Sequence, residues 1–196
     1  MPLHRRTIDV EVYERDGHMV VIGTLSDQRP WASGRFGPRQ VHLMELGIVV
    51  RCSDLVIVDA VAKMGTFPHA ECPDIEGAFS GLIGLSVTRG YTSAVQERFG
   101  RARGCSHLEF LARVLGPVVI QALTASSSRL MDDGVEVVPG GTGLESGLQW
   151  MTNTCHVWAE DGVGLQKLAA GWRPGIDGYP SPSLVEIRRR RAEPPG

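Results

Sequence analysis

Apolar and polar residues alternate along the first part of the chain. The segment RRTIDVEVYERDGHMVVIGTLSD alternates on both sides of Asp16-Gly17, a dipeptide that favours the tight turn of a β-hairpin. Residues 41–50 and 55–63 repeat Val, Ile and Leu with period two, on either side of a turn at Ser53-Asp54. This pattern predicts an antiparallel β-meander of about four strands.

A helical pattern replaces the alternation after the fourth strand. Pro73, directly after Cys72, is typical of a first helical turn, and residues 91–100 predict a short helix. The longest helical pattern follows Cys105, and Pro117 inside it is expected to bend the helix or divide it. Its apolar positions recur at spacings of three and four: Leu108, Leu111, Leu115, Val119 and Leu123. The sequence therefore predicts an α+β fold in which the meander packs against C-terminal helices.

One domain is predicted over residues 1–175, followed by a tail at 176–196. Residues 124–147 are rich in Ser, Gly and Asp, which predicts a flexible insertion, with a short strand at 135–138. The tail carries a basic cluster at Arg188–Arg191, for which a solvated tail is favoured over a phosphate-binding patch.

Composition and charge narrow the classes of function. The chain has 196 residues and a net charge of −2, which implies no nucleic-acid partner. No apolar segment has the length of a membrane span, and the N-terminus lacks the apolar region of a signal peptide, so no membrane association and a cytoplasmic location are expected. The glycine-rich phosphate-binding motifs are absent, so no nucleotide cofactor is expected.

Three of the four cysteines have a histidine nearby in the sequence. The pairs are His69 with Cys72, Cys105 with His107, and Cys155 with His156, whereas Cys52 has none. In a cytoplasmic protein cysteines indicate free thiols, metal ligands or catalysis rather than disulfides. The pairs are too dispersed for a structural zinc module, so any shared site must be assembled by the fold. The alternative, that each cysteine is a small buried apolar residue, stays open.

Cys105 has the position best suited to chemistry. It precedes the longest helix, where unpaired N–H groups and the positive end of the helix dipole favour a thiolate. His107 could hydrogen-bond to that sulfur or share a metal with it. Cys72 has a similar placement at a strand-to-helix turn, and His42, early in the third strand, could reach the same end of the sheet.

Several segments resemble a bacterial family, domain of unknown function 2889. They are HRRTIDVEVYERDG, IGTLSD, VHLMELGIVV with DLVIVDAVA, CPDIEGAFSGLIGL, GCSHLEFL and NTCHVWAEDG, over residues 4–170 with 124–147 outside the resemblance. GCSHL and NTCH are the most specific motifs, although Ser106 stands where the family usually has Thr. The resemblance implies that His69 is not required, and it implies an association with acyl-CoA and aromatic catabolism. The metal ligands that remain are Cys72, Cys105, His107, Cys155 and His156, with His42 behind them.

The order of the predicted elements is similar to the iron–sulfur scaffold and sulfur-acceptor fold of the IscU/SufE type. In that fold, a cysteine at the end of the sheet and a His/Cys pair at a helix start share one metal or cluster. Cys72 and Cys105 match these two placements, but the scaffold's early cysteine has no counterpart in this chain. The likeness therefore implies a related fold more than a shared function.

Three functions follow from these observations. The first is a lyase or hydrolase that acts on a small metabolite, CoA-linked or aromatic, through bound Zn or Fe, or through Cys105 as nucleophile with His107 or His156 as base. The second is a non-catalytic carrier of metal, an iron–sulfur cluster or sulfur. The third is a protein with structural cysteines and a ligand pocket elsewhere. The enzyme is favoured, with a small-molecule substrate as its partner, and a homodimer is compatible with the sequence.

Overall fold

Four antiparallel strands form one sheet in the order β1-β2-β3-β4. The computed structural model describes residues 1–35, 37–88, 90–132 and 152–170. The strands are β1 (Arg5–Arg15), β2 (His18–Gln28), β3 (Gln40–Arg51) and β4 (Val56–Thr66). The predicted four-stranded meander and the α+β class are confirmed.

The turn between β1 and β2 forms where the sequence predicts it. Asp16 and Gly17 have φ angles of 49° and 74°, so both occupy the left-handed region that a tight two-residue hairpin turn requires. Arg15 pairs with His18 directly beside the turn. This turn sets the register of the whole β1–β2 ladder.

The helices follow the sheet. They are a 3₁₀ helix at Cys72–Leu82, α1 (Tyr91–Phe99), a 3₁₀ turn at Arg101–Arg103, α2 (Ser106–Asp132), a 3₁₀ turn at His156–Trp158 and α3 (Val163–Ala169). Within the described residues, no helix combines the length and the apolar composition needed to cross a lipid bilayer.

Helix α2 is continuous through Pro117, so of the two expected effects of this proline, a bend or a division, the division does not occur. Proline removes one backbone hydrogen bond, but Leu115 and Val119 on either side of it are fully buried, and this packing keeps the helix whole. The helix also extends to Asp132, into the stretch predicted as a flexible insertion. The strand predicted at 135–138 lies outside the described residues.

The chain forms two compact units, Met1–Trp150 and Met151–Gly196. The sheet, α1 and α2 belong to the first unit, and α3 belongs to the second. The single domain predicted over residues 1–175 stays a prediction. The tail at 176–196, with its basic cluster, lies outside the described residues.

The core lies between one face of the sheet and the helices. Alternate residues of β2 and β3 point into it, and one face of α2 covers β1, β2 and β3. The buried set includes Met19, Val21, Leu25, Met44, Leu46, Ile48, Val50, Leu108, Leu111, Leu115 and Val119. Gly23 lies on this face, and a Cβ placed there would be 2.6 Å from Leu115 Cδ2. The missing side chain therefore lets α2 approach the sheet closely.

Tyr91 joins α1 to α2. Its side chain is buried, its hydroxyl donates to the Ala112 carbonyl at 3.0 Å, and burial raises the pKa of its phenol. Gly116 faces the ring, because a Cβ placed there would be 2.4 Å from Tyr91 Cδ1. The two helices therefore meet at a contact that only glycine permits.

We expect Gly116→Ala to lower the free energy of unfolding by about 1–3 kcal/mol, because the added methyl group overpacks against a buried ring. This loss outweighs the roughly 1 kcal/mol by which alanine favours helix over glycine. Urea denaturation followed by circular dichroism measures the change. Gly77→Ala is the matched control, since a Cβ at Gly77 meets no atom within 4 Å. Equal losses in the two variants would contradict this account of the helix contact.

Candidate metal centre

Polar residues continue the buried faces of β2 and β3 at one end of the sheet. Asp27 follows Leu25 on the inward face of β2, and its side chain is only 1% exposed. His42 precedes Met44 on the inward face of β3 and pairs directly with Asp27. The apolar core therefore ends in a carboxylate beside an imidazole.

Strand β1 supplies the cation that compensates this carboxylate. Arg6 pairs with Asp27 in the β1–β2 ladder. Its guanidinium donates from Nε to Asp27 Oδ1 at 2.8 Å and from Nη2 to Oδ2 at 2.7 Å, in the two-pronged geometry of a strong ion pair. His4 Nε2 lies 3.0 Å from Oδ1. Asp27 is thus held from one side by two residues near the start of the chain.

Helix α2 brings a second imidazole to the same carboxylate. Cys105 directly precedes the helix, and its carbonyl accepts the Glu109 N–H at 2.8 Å, which places His107 in the first turn. His107 Nε2 lies 3.3 Å from Asp27 Oδ2, and His42 Nδ1 lies 3.2 Å from the same oxygen. The two imidazole rings are 3.9 Å apart between centroids, with 32° between their planes. Two histidine nitrogens therefore converge on one carboxylate oxygen.

Hydrogen bonding favours the ionised form of Asp27, and burial favours the neutral form of His107. The hydrogen bonds from Arg6 hold the pKa of the Asp27 carboxyl well below its usual range, although burial opposes the shift. Burial lowers the pKa of His107, and the neighbouring His42 lowers it further, against the attraction of Asp27. A charged carboxylate and a neutral imidazole are the protonation states that bind metal ions.

Cys105 contacts the other edge of the His107 ring. Its Sγ lies 3.7 Å from His107 Nδ1, while Nε2 of the same ring faces Asp27. Because the two ring nitrogens point in different directions, the sulfur and the carboxylate lie at opposite edges of the imidazole. In this arrangement Cys105 orients His107.

The ring of Phe110, on α2, lies close to two arginines. Arg6 Cζ is 5.8 Å and Arg113 Cζ is 5.5 Å from the centre of its ring, within the range of cation–π attraction. Arg113 Nε also lies 2.8 Å from Oε1 of the buried Glu109. Phe110 therefore packs beside the guanidinium of Arg6, and the charges of Glu109 and Arg113 offset each other.

His42 and His107 are the predicted ligands that the structure brings together. One ligand atom from each of them and one from Asp27 lie within 4.8 Å of one another. Cys105 joins this group only through its contact with the far edge of His107.

The remaining predicted site residues lie elsewhere in the described residues. Cys72 begins the first 3₁₀ helix, is partly buried against the core and is not a member of the group of mutually close ligand atoms. Cys155 and His156 are exposed residues of the second unit. The metal-binding roles predicted for Cys72, Cys155 and His156, and the role of His156 as a base, stay predictions.

The sequence prediction missed Asp27, Arg6 and His4. Asp27 carries a signal that period-two analysis can detect, because it is an acidic residue in register with the apolar positions 19, 21 and 25 of β2. Arg6 has a similar register with the apolar positions of β1. A search restricted to cysteines and histidines passes over both residues.

The comparisons found no match among curated proteins and none among solved structures, so the likeness to the IscU/SufE fold has no support from them. A family described as "Protein of unknown function (DUF2889)" matches residues 4–121. The matched stretch contains Asp27 and the four side chains described above that contact it, and it ends before Cys155 and His156. Because the match covers more than half of the chain, this protein belongs to the DUF2889 family.

Proposed function

We propose that this chain is a metal-dependent enzyme that binds one divalent transition-metal ion through Asp27, His42 and His107. The observation that supports the proposal is the convergence of these three side chains, from two strands and a helix, on one small region.

The spacing of the ligand atoms suits such an ion. Bonds of about 2.0–2.1 Å in a tetrahedral site separate neighbouring ligand atoms by about 3.3 Å. The distances from Asp27 Oδ2 to His42 Nδ1 and to His107 Nε2 are 3.2 and 3.3 Å.

The donor set suits catalysis on a small molecule. Two imidazoles and one carboxylate are the ligands of several catalytic zinc sites and of non-haem iron(II) sites, and three protein ligands leave a position for water or substrate. A zinc or iron(II) ion held there would activate water or polarise a carbonyl, which is the chemistry of a hydrolase or a lyase. The resemblance noted in the sequence adds CoA-linked or aromatic metabolites as substrates.

A metal or sulfur carrier is less well supported by the geometry. Transfer of cargo to a partner requires accessible ligands, but the side chains of His42 and His107 are only 16% and 20% exposed, and Asp27 is almost fully buried. A site that retains its ion agrees better with this degree of burial.

We expect the metal-stripped protein to bind one Zn²⁺ or Co²⁺ ion, and His42→Ala and His107→Ala each to weaken that binding by about 100-fold or more. Loss of a residue that only supports a ligand costs 10–100-fold, so loss of a ligand should cost about 100-fold or more. Isothermal titration calorimetry measures the affinity. His18→Ala is the matched control, because it removes a partly exposed imidazole at the far end of β2.

Circular dichroism of each variant separates loss of a ligand from loss of the fold. A wild-type protein that binds no ion, with variants that change only thermal stability, would instead assign these residues to a structural hydrogen-bond network.

We expect Cys105→Ala to weaken metal binding about tenfold and Cys105→Ser to recover part of the loss, because an acceptor beside His107 Nδ1 orients the ring. Titration with Co²⁺ measures both affinities, and Cys52→Ala is the control cysteine variant.

If Cys105 is itself a ligand, the Co²⁺ protein will show sulfur-to-cobalt absorption in the near ultraviolet. Both Cys105 variants will then lose that absorption, and serine will not rescue binding.

A further inference from the structure

The proposed centre contains as much positive as negative charge before any ion is bound. Asp27 contributes one negative charge, and Arg6 neutralises it through two hydrogen bonds of 2.8 and 2.7 Å. Histidine ligands are neutral when they bind metal. With a divalent ion bound, Asp27, Arg6 and the ion would together carry a net charge of +2.

The arginine distinguishes this arrangement from a simple site of two histidines and one carboxylate. Without Arg6, the carboxylate would cancel half of the charge of the ion. With Arg6, a guanidinium nitrogen lies 2.7 Å from Oδ2, the oxygen that both histidines face. Glu109, an acidic residue in the first turn of α2, is already paired with Arg113, whose Nε lies 2.8 Å from Glu109 Oε1.

The side chains that contact the buried carboxylate also reach solvent. The side chains of Arg6 and His4 are 38% and 52% exposed, whereas that of Asp27 is 1% exposed. Within the part of the chain that the structure describes, Arg6 Nη1 has no hydrogen-bond partner, so its N–H groups can donate to a bound molecule. With a divalent ion bound, such a surface would attract anions and disfavour cationic molecules.

We infer that the substrate of the proposed centre is an oxyanion, a carboxylate or a phosphate. One of its oxygens completes the coordination of the ion, and its negative charge lies beside Arg6. This inference rests on the proposed function and adds the chemical class of the substrate to it.

The test uses the Co²⁺-loaded full chain. Acetate, inorganic phosphate and neutral acetamide are titrated separately, and the visible absorption of cobalt reports binding. We expect acetamide to bind at least about tenfold more weakly than the better of the two anions, because only the anions offset the charge of the centre. Comparison of acetate with phosphate shows which oxyanion is preferred.

Three variants of two neighbouring arginines isolate the role of Arg6. We expect Arg6→Gln to weaken anion binding about tenfold while Co²⁺ binding is retained or strengthened, because the competing positive charge is gone. Arg6→Lys should keep most of the anion affinity. Arg5→Gln removes the same charge from the next residue of β1, which faces away from Asp27, and should change anion affinity less than about twofold.

The possible results separate the two proposals. If the wild-type protein does not bind Co²⁺, both the metal centre and the oxyanion inference are wrong. If Co²⁺ binds but the affinity for acetamide equals the affinity for the anions, the oxyanion inference alone is wrong. The same conclusion follows if Arg6→Gln behaves like Arg5→Gln.

Discussion

The arrangement at this end of the sheet depends on one buried negative charge. Removing a carboxylate from water costs several kcal/mol unless partners replace the lost hydration. Asp27 is 1% exposed, and its partners come from the segment before β1, from β1, from β3 and from the first turn of α2. The need to solvate this carboxylate therefore fixes where the strands and the helix meet. The same contacts place two histidine nitrogens beside one oxygen.

The core and the candidate site arise from the same alternation of residues. In a β-strand every second residue faces the same side, so a slip of one position would move Asp27 to the uncovered face of the sheet. Leu25 and Val21 prevent that slip, because they are fully buried on the same side as Asp27. The apolar residues of β2 thus hold the carboxylate in place, although none of them needs to contact a ligand.

The sequence predicted the fold better than the site. The strands, the turn at Asp16-Gly17 and the helices after Cys72 and Cys105 follow from local patterns, and they are present as predicted. The continuity of α2 through Pro117 does not follow from local preference, because tertiary packing compensates for the lost hydrogen bond.

The site was predicted only in part for a similar reason. His42 and His107 could be named individually, but their proximity depends on strand register and on the position of α2. Asp27 and Arg6 were missed because acidic and basic residues are frequent, and only the pairing of β1 with β2 shows that these two meet.

Gly23 affects the spacing of the candidate ligands through the position of α2. Two of the three candidate ligands belong to the sheet and the third to α2. The gap between helix and sheet therefore determines how far His107 lies from Asp27 and His42. That gap is narrow because Gly23 leaves room for Leu115, two helical turns beyond His107. A side chain at Gly23 would push α2 away from the sheet, and His107 would move away from Asp27 and His42 with it.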